Sequence, residues 1–127
     1  ARTRGTRSTA LTTEATGPAK EGSVMFSDFM LENQWFAAMD SGAEQPFTFN
    51  EAISLLINCD TQEEIDYYWE KLSHSPEDEQ CGWCKDKFGV SWQIIPENMG
   101  ELVGRSPEAV QCMMKQKKII ISELENA

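Results

Sequence analysis

Long hydrophobic runs are missing from this chain of 127 residues. Its longest apolar stretches, within residues 53–57 and 119–121, have the length of a strand, far below the roughly 20 residues that cross a bilayer. No signal peptide is recognisable at its start. We therefore expect no membrane partner, reduced thiols for the four cysteines and a cytoplasmic location.

Basic residues are scarce. The chain has 11 lysines and arginines against 21 aspartates and glutamates, which gives a formal net charge of −10. A surface this acidic repels nucleic-acid phosphates and anionic lipids, so we expect neither as a partner. The length and a hydrophobic content of 40% fit one domain with a modest core.

Histidine is nearly absent, and the cysteines lack the spacing of a full zinc site. His74, the one histidine, lies in the polar stretch 73–79 and is interpreted as a solvated loop residue. Cys81 and Cys84 form a single CxxC motif, whereas zinc needs a second pair. We interpret both as packing residues of a strand. A CxxC oxidoreductase is the alternative, and it requires a thiol of unusually low pKa.

The first half of the chain predicts strands. Residues 8–13 can form one, and 23–31 and 35–39 alternate well enough to pair as a hairpin through the turn at 32–34. Residues 41–46 are expected to be a loop.

The second half predicts the order strand, helix, strand, strand and helical tail. Residues 52–59 are expected to be a buried strand, and Thr61 with Glu64 fits the capping box of the helix that follows. A hairpin is predicted from 81–88 and 90–96, turned at Gly89. The tail then contains two helices, a short strand at 119–121 and a last helical turn.

Alternation along the second hairpin strand separates two kinds of side chain. Val90, Trp92 and Ile94 point to one face and predict a core, because alternate residues share a face of a strand. Ser91, Gln93 and Ile95 point to the other face, which predicts a partly polar wall.

Several of these segments together resemble the glyoxalase/bleomycin-resistance (vicinal oxygen chelate) superfamily, in its PhnB-like or 3-demethylubiquinone-9 3-methyltransferase-like branch. The phrases that carry the resemblance are residues 22–25, 49–54, 58–64, 68–72 and 82–96. The resemblance implies an α+β fold in which paired βαβββ modules form a curled mixed sheet around a cavity. It also implies a homodimer.

The resemblance divides the single expected domain, 1–127, into three parts. Residues 1–51 correspond to the remainder of the first module and a linker, 52–96 to the core of the second module, and 97–127 to the helical tail. The opening strand and helix of the first module are not recognisable before residue 8, so that module is expected to be incomplete.

Site residues follow from the same resemblance. In metal-using members of the superfamily, a glutamate of the last strand binds the metal, and Gln93 stands at the matching position of this chain. The resemblance places two further metal ligands near Asp40 and near Asn50 or Glu51. Such oxygen donors suit Mg or Mn better than Zn. The favoured alternative to a divalent metal is that Gln93 forms a hydrogen bond inside the cavity or holds an organic ligand.

Two tryptophans complete the candidate pocket. Trp83 and Trp92 are expected to divide between pocket and core, in an order that the sequence leaves open. Lys85 and Asp86 form either an ion pair that stabilises the turn or, for the lysine, an anchor for an anionic ligand.

The function implied is a small-molecule-binding protein or enzyme of the glyoxalase type, with its reaction unassigned. The alternative is a non-catalytic ligand-sequestering or interaction dimer without metal. The methyltransferase name of the branch has no support in the residues, because no glycine-rich strand-to-helix turn for S-adenosylmethionine is present.

Overall fold

The computed structural model of the chain describes residues 10–12 and 20–127, and these form two three-stranded sheets with four α-helices. Each sheet belongs to its own unit, residues 1–47 and residues 48–127. The chain therefore has a mixed α+β architecture.

The first unit contains an antiparallel sheet in the order β1-β2-β3. Its strands are β1 (Ala10–Thr12), β2 (Val24–Leu31) and β3 (Gln34–Met39). Phe29 and Phe36 face each other across the hairpin, with their rings stacked at 5.6 Å. The predicted hairpin is confirmed. The question of an opening strand and helix before residue 8 lies outside the described residues.

The second unit contains a mixed sheet in the order β4-β6-β5. Its strands are β4 (Ser54–Cys59), β5 (Trp83–Lys85) and β6 (Ser91–Pro96). β6 runs parallel to β4 and antiparallel to β5. The predicted order of strand, helix, strand, strand and helical tail is confirmed, with shorter strands than expected.

Helix α1 (Gln62–Leu72) connects β4 to the hairpin. The predicted capping pair is present: Thr61 Oγ1 accepts a bond from the Glu64 N–H at 3.3 Å, and the Glu64 carboxylate accepts one from the Asp60 N–H at 2.8 Å. The first contact satisfies a backbone donor that the first turn of a helix leaves free, and the second binds the backbone of Asp60, one residue before the N-cap Thr61. Ile65 on the inner side of α1 is completely buried.

The helical tail consists of α2 (Met99–Gly104), α3 (Pro107–Lys115) and α4 (Ile121–Glu125). Ser106 caps α3 by accepting the Ala109 N–H at 3.0 Å. None of the helices in the described part of the chain has the length and apolar character needed to cross a membrane.

The predicted strand at 119–121 is wrong, because the backbone there is bound by side chains. Gln62 Nε2 donates to the Ile119 carbonyl at 3.0 Å, and its Oε1 accepts the Ile121 N–H at 2.8 Å. Gln116, a buried amide, bonds in the same way to both backbone groups of Ile120. The two glutamines thus occupy the positions at which a neighbouring strand would bond.

The core of the second unit lies between one face of its sheet and the helices. Its buried apolar cluster combines strand residues, helix residues and one residue of the α3–α4 connection: Cys59, Cys84 and Ile94; Ile65, Leu102 and Leu124; and Ile119. The expectation that β4 is buried throughout is wrong, since Leu56 on the opposite face is 50% exposed. The helices of this unit therefore bury one face of the sheet.

Candidate functional site

The strand register sorts the side chains of the second sheet onto two faces. Trp83 is paired with Gln93, and Lys85 with Ser91, so these four lie on the same face. Ser54 joins them because it is paired with Ser91 across the parallel strands. We call this the open face. The alternation predicted for β6 is confirmed, since Ile94 on the other face is completely buried.

Trp92 lies on the core face, so it is the core residue of the two tryptophans and Trp83 is the pocket residue. It packs against the buried cluster, and its indole N–H donates to Asp86 Oδ2 at 3.0 Å. Of the two candidates, Trp83 belongs to the open face and Trp92 does not. This corrects the inclusion of Trp92 among the pocket residues, and the reason is the parity of the strand.

Asp86 holds the hairpin turn through the backbone. Its Oδ1 accepts the N–H groups of Phe88 at 2.8 Å and Val90 at 3.0 Å. Gly89 adopts φ +85°, a left-handed conformation that favours glycine. An ion pair between Asp86 and Lys85 was one expectation for this turn; Lys85 pairs with other carboxylates instead.

A groove of about 560 Å³ lies over the part of the open face formed by Trp83, Lys85 and Ser91. Its other walls include Glu51, Met114 of α3 and Asp78, the last residue of the 3₁₀ turn Pro76–Asp78. All of these residues belong to the second unit. The groove combines an aromatic ring, a thioether and several charged groups.

Lys85 is bound by two carboxylates at the groove. Its Nζ lies 3.2 Å from Asp78 Oδ1 and 3.3 Å from Glu51 Oε2. Hydrogen bonds to Asp78 and then to Glu51 raise the pKa of Lys85 above its ordinary value. The pKa of Glu51 is lowered, first by a backbone hydrogen bond and then by Lys85. Lys85 and Glu51 are therefore both charged at neutral pH.

Negative charge exceeds positive charge around the groove. Among the described residues that line it, Glu51, Glu77 and Asp78 carry three carboxylates, against the one ammonium of Lys85. Sequence reasoning missed Glu77 and Asp78, because both lie in a polar stretch with no motif. Only the folding of that stretch against the sheet brings them to Lys85.

Ser91 is a buried polar residue of the groove wall whose side chain forms no hydrogen bond with the described residues. It is 2% exposed, and its Oγ has no hydrogen-bond partner among the described residues. The strand pattern placed Ser91 on the polar face, but its lack of a partner depends on the surrounding structure. A buried hydroxyl without a partner is destabilising unless another molecule bonds to it.

The three remaining candidate site residues each form a hydrogen bond with a different partner. Gln93 lies on the open face, where its Nε2 donates to Ser54 Oγ at 2.8 Å. Asn50 is exposed and its Oδ1 accepts the Ala52 N–H at 3.0 Å. Asp40 belongs to the first unit, where its Oδ1 accepts the Gly42 N–H at 2.8 Å.

The residues of the second unit do not fit the implied divalent metal. Glu51, the acidic candidate in this unit, is paired with the ammonium of Lys85, which a cation would have to displace. Gln93 contributes only a neutral amide. Within residues 10–12 and 20–127, no group of three or more histidine, cysteine, aspartate and glutamate side chains lies close enough to hold an ion.

The cysteines do not have the properties of a redox pair. Cys84 is almost completely buried, and this burial, followed by the charges of Glu79 and Asp86, raises its pKa to about 11. A redox thiol of the CxxC type needs a lowered pKa. Neither Cys81 nor Cys84 lies in a helix, whose N-terminus would lower the pKa of a CxxC nucleophile, and the burial of Cys84 in β5 agrees with a packing role. His74 is exposed, as expected.

Comparison with known proteins gives a match to a family profile and matches to solved structures. The sequence profile described as 3-demethylubiquinone-9 3-methyltransferase matches residues 6–95. A solved structure of a PhnB protein from Bacillus cereus is 37% identical to this chain in sequence. That protein is also described, provisionally, as a 3-demethylubiquinone-9 3-methyltransferase. That match covers 68% of this chain and 76% of the other, with a TM-score of 0.57. No curated protein matches the chain.

Proposed function

Because the chain belongs to the 3-demethylubiquinone-9 3-methyltransferase family, we propose that it is a small-molecule-binding protein or enzyme of the glyoxalase type. Its ligand occupies the groove on the open face of the second sheet. The reaction is left unassigned, since one such fold supports many reactions.

The main support for the proposal is that the two faces of the second sheet have different surroundings. One face packs against the helices and holds the buried core, while the other presents Trp83, Lys85 and Ser91 to the groove. A groove of about 560 Å³ lies in the range of roughly 300–1,000 Å³ that small-molecule sites occupy. Its aromatic ring supplies contact area, and its polar groups supply orientation.

Methyl transfer is not part of the proposal. The connection from β4 to α1 is Asp60–Thr61, which contains no glycine to bring the backbone close to a nucleotide-like cofactor. The described sheet of this unit also has three strands in the order β4-β6-β5, in contrast to a doubly wound parallel sheet. The family designation therefore does not indicate the reaction.

We also propose that the protein forms a homodimer. In the described sheet β4 pairs only with β6, so one of its edges carries unpaired backbone groups. Apolar side chains next to this edge are exposed, with Ile53 at 79% and Leu56 at 50%. A second copy of the chain is the occupant that the family resemblance favours.

The ligand proposal is tested by screening a set of small organic fragments against the ¹⁵N-labelled chain by NMR. The indole N–H of Trp83, assigned by its loss in Trp83→Phe, reports on the groove. That of Trp35 on β3 reports on the first unit and serves as the control. We expect some fragments to shift the Trp83 signal and leave that of Trp35 in place. A set in which no member shifts Trp83 at millimolar concentration contradicts the proposal.

A further inference from the structure

We infer that the groove binds an organic cation, a compound that joins an ammonium group to an aromatic or other apolar portion. This inference rests on the proposed function, and it names the class of ligand for the same groove. Two observations carry it: the charges around the groove and the unpaired hydroxyl of Ser91.

The charges around the groove favour a positively charged ligand. Lys85 is already paired with Asp78 at 3.2 Å and with Glu51 at 3.3 Å, so its positive charge is balanced within the protein. Glu77 adds a further carboxylate to the groove lining, and no ion pair of the described residues includes it. An entering anion would have to displace a carboxylate from Lys85, whereas an entering cation meets an excess of negative charge.

Ser91 supplies the second observation. Its Oγ is buried in the groove wall without a partner among the described residues, although a buried hydroxyl is ordinarily hydrogen-bonded. Strand register places it on the same face as Lys85. An ammonium group has only donors, and the free lone pairs of the hydroxyl can accept one of them.

Trp83 accounts for the apolar portion. It lies on the open face next to Lys85 along β5 and lines the groove together with Met114. The face of an indole ring attracts cations as well as apolar groups. A ligand with both parts would contact the ring and the carboxylates at the same time.

The test compares three probes of matched size: phenethylamine, 2-phenylethanol and phenylacetate. Binding is followed through the Trp83 indole signal in ¹⁵N NMR titrations. We expect phenethylamine to bind about fivefold or more tightly than 2-phenylethanol, as one or two partly exposed charge pairs would give. Phenylacetate should bind weakest. Added salt should weaken the binding of phenethylamine and leave that of 2-phenylethanol unchanged.

Variants locate the effect. Glu51→Gln combined with Asp78→Asn should abolish the preference for phenethylamine, and the matched control Glu63→Gln on α1 should retain it. Ser91→Ala should weaken the binding of phenethylamine while stability to urea stays the same or rises, because the substitution removes an unsatisfied buried hydroxyl. A merely structural role for Ser91 would lower stability and leave affinity unchanged.

The outcomes separate the two proposals. Equal or tighter binding of 2-phenylethanol or phenylacetate overturns the inference and leaves the ligand groove in place. If none of the three probes shifts Trp83 while other fragments do, the inference also fails alone. If no fragment of any charge shifts Trp83, both proposals fail.

Discussion

Gln93 Nε2 donates a hydrogen bond of 2.8 Å to Ser54 Oγ, joining the two parallel strands β6 and β4. The two residues are 39 positions apart in the sequence. The resemblance seen in the sequence predicted Gln93 at the position of a metal-binding glutamate. Here the amide is engaged by a neighbouring strand, which supports its interpretation as a polar residue of the open face.

A double-mutant cycle tests this bond. We expect Gln93→Ala and Ser54→Ala each to lower the free energy of unfolding by about 1 kcal/mol, with a coupling of roughly 0.5–1.5 kcal/mol between them. Urea unfolding of the two single variants and the double variant gives the coupling. Strictly additive losses would contradict a bond that contributes to stability.

Divalent cations should not stabilise the protein. A cation bound at about 100 times its dissociation constant adds roughly 2.7 kcal/mol to the free energy of unfolding. Because Glu51 is paired with Lys85, we expect no change of Tm with Mg, Mn, Ca, Ni or Zn relative to EDTA. A shift selective for one ion, and lost in both Glu51→Ala and Gln93→Ala, would restore the metal site.

Gly82 should not tolerate a side chain. It adopts φ +84°, and a Cβ there would lie 3.0 Å from the Ile94 carbonyl oxygen and 3.1 Å from Ile119 Cγ1. We expect Gly82→Ala to lower the free energy of unfolding by about 2–4 kcal/mol, measured in urea.

Gly100 in α2 provides the matched control for this substitution. A Cβ at Gly100 meets no atom within 4 Å, and its backbone is helical. Gly100→Ala should therefore be neutral or stabilise the protein by up to about 1 kcal/mol. Equal losses in both variants would show that Gly82 is not constrained in this way.

The buried thiols should make the protein less stable in alkali. Burial raises the pKa of Cys59 and of Cys84 to about 11, from an ordinary value of 9. The unfolded chain therefore loses these protons first as the pH rises, and the stabilisation present below pH 9 is lost between pH 9 and 11. Each thiol should account for about 2–3 kcal/mol, since one pKa unit corresponds to about 1.4 kcal/mol.

Urea unfolding between pH 8 and pH 11 measures this loss. The double variant Cys59→Ala, Cys84→Ala should show a flatter decline than the wild type. Ile94→Val, which weakens the same core with both thiols intact, should keep the original slope. An unchanged slope in the cysteine double variant would contradict the role of the thiols.

The homodimer should appear in sedimentation at micromolar concentration. Leu56→Glu next to the open edge of β4 should shift the equilibrium to monomer, because it introduces a charge into the proposed apolar contact. Val110→Glu, an equally drastic change at an exposed apolar position of α3, should leave the dimer intact. A wild-type chain that sediments as a monomer would rule the proposal out.

Local signals in the sequence predicted many of the elements. The cap of α1 by Thr61 and Glu64, the glycine turn at Gly89 and the alternation of β6 each depend on residues a few positions apart. The backbone responds to such neighbours directly, through capping bonds, left-handed φ angles and strand periodicity. The family resemblance drew on the same short segments.

Contacts between distant segments decided the rest. Residues 119–121 have the composition of a strand, yet Gln62, 57 positions earlier, binds the Ile119 carbonyl in place of a strand partner. The pairing of Lys85 with Asp78 and Glu51 likewise depends on where loops meet the sheet. No periodicity in the sequence encodes such contacts.

The sequence by itself determined the acidic character of the chain, its helix caps and turns, and the polar face of β6. Only the tertiary structure decided that Trp83 reaches that face, that Ser91 Oγ is left without a partner in the described residues, and that carboxylates outnumber the lysine around the groove. The reason is that strand register and loop packing are set by burial summed over the whole unit, which short stretches of sequence do not specify.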